Sequence, residues 1–130
     1  MTTRLCALIL SVLLIGANVA NAQTVRTGRL MREKLLHSQR ILAALTTSDY
    51  ALLQKETRAL TQVTKNPIWT ELMTAELLPY TGGFSKALAD LSAAADRRDY
   101  DAAGASYGAL TAACVSCHKH VMNSRIARKR

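Results

Sequence analysis

An all-α fold is what this sequence predicts, an antiparallel four-helix bundle with a long crossover between its second and third helices. Three observations carry it. Apolar residues recur at helical spacing over four segments, and nothing alternates with a period of two over any useful length. Prolines and glycines gather in one stretch, residues 66–83. Short first and last links with one long middle connection describe an up-down bundle. The chain shows no internal repeat and no low-complexity segment.

The first of the 130 residues form a unit of their own. In "MTTRLCALILSVLLIGANVANAQ", Arg4 gives a positive start, Leu5 to Ile15 an apolar run, and Ala20-Asn21-Ala22 a small-residue site before Gln23. That is the layout of a cleaved secretory signal over residues 1–22. The run of about a dozen apolar residues is short of the ~20 that a membrane-spanning helix needs. Cys6 leaves with the signal. The working domain is then residues 23–130, one domain with a modest core, exported to a periplasm and left with no membrane span.

Within that domain the first helix is predicted over Arg26 to Leu45. Met31, Leu35, Leu42 and Leu45 share one stripe with Ser38 as its only polar member, while Lys34, Gln39 and Arg40 point elsewhere. In "TTSDY", Thr47 or Ser48 is expected to cap the second helix. That helix carries Leu52, Leu53, Leu60 and Val63 and ends before Pro67, which disfavours helix at Asn66. Residues 66–83 read as a crossover holding one helical turn, with Trp69 as an anchor. The third helix is expected from about Phe84 to Asp96, through Leu88 and Leu91. "RRD" breaks it, and the fourth runs from about Tyr100 to Arg125.

The net charge is +8, one unit of it from Arg4, and much of the excess lies in "RIARKR" at residues 125–130. Nucleic acid is a poor partner for an exported chain. The charge therefore reads as a solvated helix end or as docking surface for acidic partner proteins.

The chemistry concentrates in "CVSCH", residues 114–118, which holds the only cysteines outside the signal. At about 100° per residue, Cys117 lies some 60° to one side of Cys114 and His118 some 40° to the other. All three project from one helix face. A disulfide between i and i+3 on a helix is strained. A thioredoxin-like pair opens a helix after a strand, which this chain lacks. A structural zinc site wants four ligands, and His120 lies on another part of the helix. Covalent haem attachment remains, and C-x-x-C-H is its signature. Two thiols one turn apart span the porphyrin vinyl groups, and the following imidazole reaches the iron. Export with reduced thiols supplies the setting this chemistry needs.

With "ACVSCHK" (113–119) on the last helix, "MREKLLHSQRIL" (31–42) on the first, and Y-x-x-L-T-x-x-C from Tyr107 to Cys114, the chain resembles the cytochrome c' group of bacterial monohaem cytochromes. The likeness covers essentially all of residues 23–130. It implies a four-helix bundle with one haem c, held by Cys114 and Cys117 and ligated on the proximal side by His118. Some members of that group leave the sixth position empty and bind small gases. Others fill it with a first-helix methionine and carry electrons, and Met31 occupies the matching place. The resemblance is closer to the methionine-ligated members, which makes His118 and Met31 the expected axial pair.

Met73 lies in the irregular crossover, and Met122 shares a helix with His118 and cannot reach the opposite haem face. His37, beside Lys34 and Ile41, and His120 read as flank or surface histidines. Gly104 and Gly108 lie one turn apart, either admitting a close neighbour or simply exposed. Tyr107 is placed to pack beside the ring, and Lys119 and Arg125 are placed to meet its carboxylates or to complement the helix dipole.

No carboxylate pair or nucleophile-base constellation accompanies the motif, so an electron carrier rather than an enzyme is expected. The rival expectation is a five-coordinate, high-spin protein that binds or buffers small gases such as NO or CO. A zinc-binding bundle is the third. Homodimers are common among similar proteins, but no exposed apolar stripe in the sequence argues for one here.

Overall fold

A computed structural model describes residues 2–127, with side chains from Ala22 onward apart from those at 23 and 126. Five helices follow one another: α1 (Thr2–Thr47), α2 (Tyr50–Val63), α3 (Pro67–Glu71), α4 (Leu78–Asp96) and α5 (Tyr100–Ala127). No strand occurs among the described residues. Four long helices form the bundle, and α3 is the helical turn expected in the crossover. The signal reading of residues 1–22 falls on Met1 and on side chains outside the described residues, Cys6 included. So does the "RKR" end of the basic tail, residues 128–130.

The two tight corners share one design. After α1, Ser48 takes a left-handed backbone (φ 58°), and the Asp49 amide donates to the Ala44 carbonyl at 3.0 Å. The Asp49 carboxylate then caps α2 by accepting the Leu52 amide at 2.9 Å. The cap is therefore Asp49 rather than Thr47 or Ser48, because the left-handed turn uses up Ser48 and the Thr47 hydroxyl is spent on the Ala43 carbonyl. After α4, Arg98 (φ 56°) and Asp99 repeat the arrangement, with Asp99 accepting the Ala102 amide at 3.0 Å. The residues that follow, Tyr50 and Tyr100, stack at 4.1 Å and join the two corners.

α4 begins six residues earlier than the expected Phe84. Pro79 sits in its first turn, where a missing N–H costs nothing. Gly82 and Gly83 lie inside the helix with no side-chain or distant backbone atom close to where a Cβ would stand, so they neither mark a turn nor admit a neighbour. The same holds at Gly104 and Gly108, which are exposed on α5.

α1 lies mainly against α2, α4 mainly against α5, and α2 against α4 closes the bundle. The centre is aliphatic: Ile41, Leu53, Leu60, Leu91 and Leu110 are fully buried, each worth roughly 1.5–3 kcal/mol of transfer free energy. Trp69 anchors α3 in this core, as its sequence position suggested.

On α1 the buried face is not the expected one. Leu30, Lys34, Ile41 and Ala44 point inward, whereas Leu35 and Leu42 are 57% and 46% exposed. α1 has two adjoining apolar faces. The one starting at Leu30 packs on the core, and the one starting at Met31 looks into the gap between α1 and α5, which pack against each other only sparingly.

Candidate haem site

That gap is a cavity of about 850 Å³, within the 300–1,000 Å³ usual for ligand and cofactor sites. α1 contributes Met31, Lys34, Leu35 and Ser38 to its walls, α3 Trp69, and α4 Phe84. α5 contributes Tyr107, Leu110, Cys114, Cys117, His118 and Met122. All four residues singled out in the sequence, Met31, Cys114, Cys117 and His118, therefore line one space. A smaller cleft of about 250 Å³ near Arg26, Arg29 and Asn66 holds none of them.

Regular helix geometry sets the order on α5. Cys114 and Cys117 are a turn apart, both half-buried and both free thiols, and His118 stands exposed beside them. Met31 is half-buried and packs against the core from the facing helix. Tyr107 ties the two walls together, its hydroxyl donating to the Ser38 carbonyl at 3.0 Å.

Burial pushes both thiols above their ordinary pKa, and the Lys34 ammonium pulls each back in part. Reactive redox thiols sit in the opposite condition, with depressed pKa values, so the thioredoxin-like reading loses its basis. Among the described residues no cluster of three or more His, Cys, Asp or Glu side chains is arranged to hold a metal ion.

A haem suits the donors that are present. Two free sulfurs one turn apart on the edge of a largely apolar cavity offer attachment points, an imidazole follows at once, and a thioether faces them from α1.

Lys34 was expected to point away from the core. It is 8% exposed, with its Nζ 3.6 Å from the ring centroids of both Trp69 and Phe84. Burial lowers its pKa from 10.5 to about 8, although the nearby Cys114 and Cys117 charges act to raise it. Its partners lie 35 and 50 residues further along the chain, so no local pattern around Lys34 signals its burial.

His37 lies on the flank of α1 and is more than a surface residue. Its Nδ1 is 2.7 Å from Oε2 of Glu56, a carboxylate only 2% exposed, and Arg40 approaches the other oxygen at 3.7 Å. His120 stacks on Tyr80 and pairs with Glu76 at 2.9 Å. Neither histidine lines the cavity. Met73 is exposed in the crossover.

The family model for cytochrome C' matches residues 13–120. Comparison with curated proteins and with solved structures gives no match. Proteins of this family bind a single covalently attached haem c and are generally periplasmic. No helix among the described residues is long and apolar enough to cross a membrane.

Proposed function

The chain belongs to the cytochrome c' family, and from that premise we propose that it is a periplasmic carrier of single electrons rather than an enzyme, its haem held by Cys114 and Cys117 between His118 and Met31. The observation that carries this reading is the convergence of Met31 from α1 with the three motif residues of α5 on one cavity. When bound, the haem supplies the one-electron ferric/ferrous chemistry.

The residues of the chain do the rest. The Cys114 and Cys117 sulfurs form the two thioether anchors. The His118 imidazole would ligate the iron through a ring nitrogen. The Met31 thioether would supply the second iron ligand, and a Met/His pair favours a higher potential than two imidazoles would. Phe84, Trp69 and Leu110 keep the inner wall dry, which limits solvent rearrangement between the two charge states. Among the described residues, Arg32 and Lys119 stand on the cavity lining and no Asp or Glu does. This charge supports an acidic protein as electron donor or acceptor.

A visible spectrum of the exported protein tests the reading, first oxidised, then reduced, then with carbon monoxide. A sharp low-spin reduced band indifferent to carbon monoxide is expected. Replacing Met31 by Ala should turn the spectrum high-spin and make it responsive to the gas. A wild-type spectrum already high-spin and shifted by carbon monoxide would replace electron carriage with gas binding.

A further inference from the structure

We propose that Lys34 fixes an uncompensated positive charge on the α1 wall of the haem cavity and so raises the reduction potential of the bound haem. This rests on the haem attachment proposed above. The ammonium sits in a cleft made by two buried rings, Trp69 on α3 and Phe84 on α4, whose centroids are 5.3 Å apart at an interplanar angle of 57°. It lies 3.6 Å from each centroid, and a desolvated cation over an aromatic face is held by the ring quadrupole. Three helices thus hold one charged nitrogen in place.

Nothing balances that charge. Among the described residues Lys34 forms no ion pair, and no Asp or Glu lines the cavity. A haem brings carboxylates of its own, but at the wrong edge. The vinyl groups that take the cysteine sulfurs lie across the porphyrin from the propionates, and Lys34 lines the same cavity as Cys114 and Cys117. The ammonium shares its cavity with the attachment thiols, so on this reading it is not the propionate counter-ion and its charge is expected to persist when the cavity is filled. It also follows Met31 by one turn, about 4.5 Å along the helix axis.

Ferric haem carries one more positive charge than ferrous haem. A fixed cation in a dry wall disfavours the ferric form more. Uptake of one electron from a donor protein or a mediator dye becomes easier, and no proton need accompany it.

The test is a mediator titration of the haem-loaded protein, followed by its visible spectrum at pH 6.5. Lys34→Met is compared with wild type, with Lys34→Arg, and with Lys55→Met, which removes an exposed charge on α2. The equilibrium constant for reduction should fall roughly three- to tenfold in Lys34→Met, with the low-spin band unchanged. Lys34→Arg and Lys55→Met should each stay within about twofold of wild type on the same Coulombic argument. If Lys34→Met takes up no haem, Lys34→Gln carries the same expectation. An unchanged or raised potential in the neutral variants overturns the proposal. An equal fall in Lys34→Arg also overturns it, by assigning the effect to packing, and so does a fall accompanied by loss of the low-spin band. A colourless wild-type protein would instead sink the haem attachment on which the proposal rests.

Discussion

The corner end of the bundle and the crevice end are built to different standards of closure. At the corners, Ile41, Ala44, Leu53, Ala94, Ala95 and Ala103 are buried by one another, and two capped turns finish the helices. At the crevice, Leu35, Val115 and Met122 remain more than half exposed around a cavity of about 850 Å³. Both ends draw on the same apolar residue types, so hydrophobicity alone does not distinguish them. The difference lies in what completes each core: side chains of the chain at the corners, and a cofactor at the crevice.

The largest effect that would break this contrast is at the anchors. Cys114→Ala with Cys117→Ala should abolish covalent haem, read as the loss of haem stain from the denatured protein on a gel. A double variant that keeps the stain would dismiss these cysteines as attachment points.

Truncations should separate the two ends next. Leu53→Ala is expected to cost about 2–5 kcal/mol in urea unfolding. Leu35→Ala in the haem-free chain should stay within about 0.5 kcal/mol. Similar costs at both positions would mean that the crevice is closed by its own side chains.

Lys34 gives the contrast a pH dependence. Folded, it loses its proton near pH 8, and unfolded near 10.5. Between those values the unfolded chain binds more protons, so stability rises with pH. The haem-free wild type should gain about 2–3 kcal/mol on Lys34→Met between pH 7 and 10. The buried thiols have the opposite slope, because the unfolded thiols ionise first, and Lys34→Met also removes the ammonium that pulls them back in part. A flat difference would remove Lys34 from the dry wall.

The smallest effect belongs to the polar contact between α1 and α2. His37→Ala leaves the buried Glu56 carboxylate with Arg40 alone and should cost about 1–3 kcal/mol. Adding Glu56→Leu should recover part of that loss, since no buried charge then lacks its partner. No recovery in a thermal melt would show that packing, rather than the ion pair, holds the two helices there.

Sequence reading reached some of this and missed the rest for identifiable reasons. The bundle was legible because four segments each repeat apolar residues at helical spacing. The motif was legible because the spacing of Cys114, Cys117 and His118 is itself the chemical requirement. The core face of α1 was not, since two apolar faces adjoin and periodicity cannot tell the one that packs on α2 from the one that faces a cofactor. The start of α4 was hidden because Pro79 and Gly82-Gly83 look like a break. In fact the proline occupies a first turn, and packing by the buried Thr81 and Phe84 offsets the ~1 kcal/mol cost of each glycine. The burial of Lys34 and Glu56 depends on partners distant in sequence, and no local pattern records it.

The twin corners at Ser48-Asp49 and Arg98-Asp99 bear on the order of assembly. Each closes a hairpin through a link of only a few residues, and so short a loop costs little closure entropy. Contacts of such low sequence separation form early in folding. We therefore expect α1–α2 and α4–α5 to zip as separate hairpins, leaving the crossover to dock them afterwards. The crevice, with one wall from each hairpin, then exists only after that last step, while the thiols are already displayed on a finished helix. Pulse-labelled hydrogen exchange during refolding would show it as protection at Leu53 and Ala103 ahead of Trp69, and simultaneous protection at all three would refute it.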